Sequence, residues 1–148
     1  MDIAALIISI LALVLSLIQF IRDTSREKKE ATLIAYNEIQ DDVFSILTKY
    51  PYPMPEIEYH SKEWLELTIC LAKLERFSVG INTRIYSIDT LNRLGGAYYI
   101  RQFEKLKPII DRKRNDNLVP EKHYDEFEIT VNMLKKKRPK FEVLRDTI

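Results

Sequence analysis

The first fifty residues contain neither proline nor glycine: the six prolines begin at Pro51, and the three glycines are Gly80, Gly95 and Gly96. The two residue types that most readily stop a helix are thus missing before Tyr50. Lysine and arginine are missing from the first 21 residues, where Asp2 carries the sole side-chain charge. A single cysteine, Cys70, excludes an intramolecular disulfide and suits a reducing compartment. On a helix it reads as a small buried apolar residue, not a reactive thiol. The two histidines, His60 and His123, stand 63 positions apart, and the Cys, Asp and Glu residues around them make no persuasive ligand pattern, so no metal motif is legible. No glycine-rich phosphate loop exists either, because Gly95-Gly96 has no strand before it and lacks the lysine such a loop needs. Basic and acidic residues nearly balance, 23 against 22 with a formal charge of +1, so no global field draws nucleic acid. Acid pairs such as Asp41-Asp42 are ordinary solvated surface. Catalysis is not expected, and no cofactor is implied.

What the sequence has is grease at its start. Ile3 to Ile21 is a run of 19 residues, thirteen of them Ile, Leu, Val or Phe. As a helix it covers about 28 Å, against a hydrocarbon core about 30 Å thick. Those thirteen side chains supply about −6 kcal/mol of insertion free energy, more than Ser9, Ser16 and Gln19 can cancel. A cleaved signal would want a basic start, a shorter apolar centre and a small-residue cleavage site. The run predicts a retained transmembrane helix. Arg22, Arg26, Lys28 and Lys29 follow it and no basic residue precedes it, which places the N-terminus outside and the rest in the cytoplasm, at the inner membrane of a bacterial cell. Ala5, Ser9, Ala12, Ser16 and Gln19 step by four and three along one face. In lipid this is a self-association seam, where small side chains let backbones approach and hydroxyls or an amide bond across the contact. A helix that merely tolerates small residues, or a polar face lining a pore, would show the same stripe.

The remainder suffices for one core, not two. The expected division is residues 1–22 as span and short outer N-terminus, 23–50 as a juxtamembrane helix and 51–148 as a cytoplasmic helical domain. Leu33, Tyr36, Val43, Leu47 and Tyr50 keep a three-four spacing interrupted by Gln40, a face for a bundle or a second copy. "PYPMPEI" from Pro51 is an extended connector. Ser61 is an N-cap candidate for a helix carrying Trp64, Leu65, Ile69, Leu71, Leu74 and Phe77 and ending at Gly80. Ser87 caps a brief helix to Leu94, Gly95-Gly96 breaks it, and Ala97 to about Arg114 resumes, with Pro108 kinking the path or starting a fresh turn. Pro120 opens a last helix with Tyr124, Phe127, Val131 and Leu134 on one face. No strand pattern competes, so the fold class is all-α: one transmembrane helix continuing into a small helical bundle.

"LERFSVGINTRIYSIDTLNRLGGAYYIRQFEKLKPII", Leu74 to Ile110, resembles the core of an uncharacterised bacterial family of small proteins with one N-terminal span and a helical cytoplasmic domain. Glu75, Arg76, Phe77, Gly80, Ile85, Tyr86, Leu94, Gly96, Tyr98, Leu106 and Pro108 carry the likeness. Gly95 departs from that pattern, which has a bulky residue there. The resemblance implies the architecture and no reaction.

Two sets of residues could bind something. Arg84 and Arg101, with Tyr86 and Tyr98, offer guanidinium forks beside phenol rings, as a nucleotide or phosphate pocket does; an ion-paired helix surface, with Glu75 and Glu104 as partners, looks the same. Lys135, Lys136, Lys137, Arg138 and Lys140 would touch anionic headgroups if they return to the bilayer; a solvated helix C-terminus explains the same cluster. Nucleic acid is not expected, because no aromatic platform interleaves with the run. The expected function is a membrane-anchored homo-oligomeric module that acts by self-association and contact with cytoplasmic protein. The alternative is an effector that senses a nucleotide-like ligand, as in antiphage defence, and permeabilises the membrane.

Overall fold

The computed structural model describes residues 3–115 and 123–138, without the side chains of residues 4 and 5. Its elements are α1 (Ile3–Leu47), α2 (Lys62–Asn82), α3 (Ile88–Arg114) and α4 (Asp125–Lys137), with no strand among the described residues. The fold class is all-α, with a long apolar helix at the N-terminal end.

With no proline or glycine to stop it, α1 runs unbroken for 45 residues, about 68 Å. Its two ends live differently. From Leu6 to Asp23 every side chain is exposed, and this segment reaches a mean hydropathy of 2.1, long and apolar enough to cross a membrane. From Thr32 onward Thr32, Tyr36, Val43 and Leu47 are buried at helical spacing.

The other helices pack on that second part of α1. α2 runs antiparallel to it, with ion pairs Asp42–Lys73 and, at 3.2 Å, Glu66–Lys49. α3 runs parallel to it: the Ser87 N–H donates to Thr32 Oγ1 at 2.8 Å, and Lys105 reaches the end of α1, donating to the carbonyls of Leu47 at 2.7 Å and Tyr50 at 2.6 Å. α4 runs back along α3, from Phe127 beside Phe103 to Lys137 paired with Asp89 at 2.6 Å. The result is an up-down-up-down bundle. Tyr99, Phe127, Leu67, Leu71 and Leu74 lie at its centre. The Tyr99 hydroxyl donates to Leu74 O at 3.0 Å and meets Ser78 Oγ at 2.8 Å, so this buried polar group is satisfied. Burial also pushes its pKa well above the ordinary tyrosine value. Cys70 is fully buried, and that burial pushes its thiol up to about 12, leaving it protonated and inert.

Ser61 and Ser87 cap as expected, their hydroxyls accepting from the N–H groups of Trp64 and Thr90. Elsewhere the structure corrects the sequence reading. Leu33, Leu65 and Ile69 face outward, at 42%, 59% and 47% exposure; in α2 the core face is instead Trp64, Leu67, Cys70, Leu71, Leu74 and Phe77. Gly80 does not stop α2, which continues to Asn82; a side chain at Gly80 would strike the ring of Tyr86, which folds back against it. Gly95 takes a non-helical conformation within α3, yet the helix resumes at once. Its missing side chain leaves room for the Tyr36 hydroxyl. Pro108 lies on the exposed face of α3, and the sole non-helical dihedrals in that helix are at Gly95. α4 begins at Asp125, not Pro120, which falls outside the described residues. Its start is capped from α2: Glu75 accepts from the N–H groups of Glu126 at 3.2 Å and Phe127 at 2.8 Å.

Candidate functional site

The end of the bundle from which the apolar segment leaves is built around Thr32. Its hydroxyl donates to Lys28 O at 2.6 Å and accepts from Ser87 N–H, which pins the α2–α3 turn to α1 one turn below Lys28. The turn itself closes α2 with Arg84 N–H donating to Ile81 O at 3.0 Å and Tyr86 N–H to Gly80 O at 2.9 Å. Arg84 adopts φ 63°, the left-handed region that usually favours glycine. Tyr86 is fixed by stacking on Phe77, with centroids 5.2 Å apart and planes 22° from parallel.

A groove of about 480 Å³ opens here between α1, the turn and α4. Lys28 and Arg84 supply its charge, and Ile81, Tyr86, Ile88, Ile129 and Met133 supply apolar wall. Its polar members Asn82 and Ser87 are engaged. Asn82 donates to Glu126 O at 3.0 Å and Glu126 Oε2 at 2.6 Å and accepts from Thr130, while Ser87 caps α3. Neither Lys28 nor Arg84 makes an ion pair among the described residues. Ile85, next to Arg84, is 60% exposed. A second cavity of about 500 Å³ lies beside Arg114. That guanidinium is already paired with Asp125 at 3.1 Å and Glu128 at 2.8 Å, so the cavity offers an anion nothing. Cationic and amphipathic, the Lys28–Arg84 groove can hold an anion carrying an apolar group. It presents no nucleophile with a base beside it.

The structure divides the four residues expected to share a ligand pocket. Arg84 and Tyr86 line the groove, whereas Tyr98 and Arg101 do not. Tyr98 packs near Phe44 of α1, centroids 6.3 Å apart, and Arg101 lies on the exposed face of α3. Glu75 caps α4, and Glu104 counts Lys135 of that helix among its partners, at 2.9 Å. In the basic run, Lys137 is paired with Asp89, Arg138 donates to Asn92, and Lys136 is exposed. Lys137 and Arg138 thus sit against the first turns of α3, the end of the bundle that holds the groove. Lys140 lies outside the described residues.

Ser9, Ala12, Ser16 and Gln19 are exposed on α1, and the Ala5 side chain is outside the description. Eighteen residues of α-helix make about five turns, so these four share the azimuths of Glu27, Glu30, Ile34 and Asn37, all exposed. The bundle packs on the side of Thr32 and Tyr36. The stripe therefore faces away from the chain's own bundle.

Lys105 and Arg112 are structural cations that sequence reasoning missed. Lys105 satisfies carbonyls at the C-terminus of α1, where a positive charge is favoured. Arg112 donates to Ile57 O at 2.6 Å and lies 5.5 Å from the rings of Tyr59 and Trp64, which fastens the proline-rich connector. Partners 55 and 58 positions away leave no local signal.

No curated protein and no solved structure matches the chain. One family does, over residues 6–134, a span that takes in the apolar segment, the groove and nearly all of α4. The chain belongs to the family described as "Domain of unknown function (DUF4760)".

Proposed function

We propose that this is a single-pass inner-membrane protein with its N-terminus outside and its bundle in the cytoplasm. It acts by self-association and protein contact and not by catalysis. The observation that carries the reading is α1 itself, whose apolar part is wholly exposed while its continuation is packed into a core. In water those side chains would form a far larger apolar patch than a soluble monomer exposes. Burial in lipid removes the cost. Arg22, Arg26, Lys28 and Lys29 beyond the run set the orientation. The outward azimuth of Ser9, Ala12, Ser16 and Gln19 supports pairing of spans, because a second copy can approach that face without meeting the first copy's bundle.

Alkaline carbonate washing of membranes tests the anchor: the intact chain should stay in the pellet, and its release to the supernatant would overturn the reading. Ala5→Leu, Ala12→Leu and Ser16→Leu together test the seam. Crosslinked oligomers in detergent should weaken, and unchanged crosslinking would retire self-association through this face. Expression should leave membrane potential intact. A collapse abolished by Ser16→Leu and Gln19→Leu would favour a permeabilising effector instead.

A further inference from the structure

We propose that the groove between α1 and the α2–α3 turn holds the phosphate headgroup of an anionic phospholipid from the adjacent leaflet, with Lys28 and Arg84 as counter-ions and Ile85 entering the interface beside it. The inference rests on the reading that α1 spans the membrane.

Depth is the first argument. Lys28 lies six residues beyond Arg22, about 9 Å along the helix axis. The headgroup layer on each side of the hydrocarbon is about 5–8 Å thick. Side chains on an α-helix lean toward its N-terminus, so Lys28 points back toward the bilayer. Arg84 lines the same groove, so a headgroup held there meets both cations.

Charge is the second argument. Both cations lack an ion-pair partner among the described residues. None of the nearby acids pairs with them: Asp89 is taken by Lys137, Glu126 is hydrogen-bonded to Asn82, Asp23, Glu27 and Glu30 are exposed on α1, and none of the five lines the groove. The backbone of Arg84 adds to this. A side chain other than glycine at φ 63° costs conformational energy, and here that position presents a guanidinium, a fork suited to phosphate.

The wall chemistry selects among anions. A soluble nucleotide needs several hydrogen bonds for its sugar and base, yet Asn82 is committed to Glu126 and Thr130, and Ser87 gives its N–H to Thr32 and accepts from Thr90 N–H. What remains beside the two cations is the Tyr86 phenol, apolar surface and the exposed Ile85 at the turn. Glycerol and the first acyl methylenes of a lipid fit that surface.

The test uses the full chain in nanodiscs of phosphatidylcholine with and without phosphatidylglycerol, and reads lipid retained after mild detergent exchange by native mass spectrometry. Wild type should retain phosphatidylglycerol selectively. Lys28→Gln with Arg84→Gln should lower that retention about thirtyfold, and Arg84→Gly alone about fivefold. Arg84→Gly relaxes the backbone, so its thermal midpoint should not fall, which separates lost binding from lost folding. Lys107→Gln, on the exposed face of α3 toward the opposite end of the bundle, should retain lipid as wild type does. Equal retention of both lipids, or retention unchanged in the Arg84→Gly and double variants, overturns the proposal. Displacement of the lipid by inorganic phosphate or a nucleotide would reassign the groove to a soluble anion and overturn it too. Carbonate washing of the membranes from which the protein is purified keeps the two readings apart: pelleted protein without lipid preference in nanodiscs refutes the groove alone, and released protein refutes the span.

Discussion

The two parts of α1 are one helix in two solvents. Between Ile3 and Ile21 apolar residues occupy nearly every azimuth, and from Leu6 onward exposure is uniform. Between Thr32 and Leu47 one face is buried while Asn37, Glu38, Asp41 and Asp42 stand in water. Helical hydrogen bonding is common to both, so the backbone does not decide where each part lives; the angular distribution of side chains does. A stripe suffices against a bundle, whereas lipid demands the whole circumference. The small and polar residues that break the apolar circumference gather on the face that the bundle leaves open.

The largest test of that contrast is to make the first part polar. Leu11→Arg with Leu15→Arg adds about 6–8 kcal/mol to insertion, enough to cancel the favourable term. Under the single-pass reading the chain should leave the carbonate-washed pellet while far-UV circular dichroism of the bundle persists; retention in the pellet would break the comparison.

The reciprocal change strikes the second solvent. Phe127→Ala opens the fully buried centre among Tyr99 and Phe103 and should cost about 3–5 kcal/mol. Denaturant unfolding of the bundle should report that loss while carbonate fractionation stays unchanged.

A smaller effect sharpens how the bundle holds its last helix. Glu75→Ala strips the cap from two N–H groups of α4 and should cost about 1–2 kcal/mol in unfolding experiments. Glu75 also has a pH signature. Burial raises its carboxyl above the ordinary glutamate value, outweighing the two N–H bonds that pull it down. A raised native pKa means its stabilising contribution is complete below the unfolded value and declines as pH rises through the native one. Glu75→Gln should remove that decline. A wild-type and Gln variant with parallel stability-pH curves would show that the carboxyl is not desolvated.

Much of this architecture was legible locally. Hydroxyl caps at Ser61 and Ser87, the absence of helix breakers before Pro51 and the hydropathy of the first segment each act within a few residues, so pattern reading finds them. What stayed hidden depends on distant partners. Gly80 and Gly95 look like helix punctuation, yet they answer to Tyr86 and Tyr36. Leu65 and Ile69 are as apolar as Leu67, and only the docking of α1 and α4 decides which of them is covered. At the candidate site the sequence pointed to Arg84 and Tyr86 but added Arg101 and Tyr98, because it held no information on how α3 turns them away from the groove. Lys28, read as an orientation signal, gained its second part only when the turn was pinned to Thr32.

An unjointed α1 is a stiff axle. No proline or glycine gives it a swivel, so a twist imposed at Ser16 is carried along the helix to Thr32 and to the loop tied there. A tilt of about 10° swings the far end by about 12 Å. Whatever grips either end of that lever handles the other.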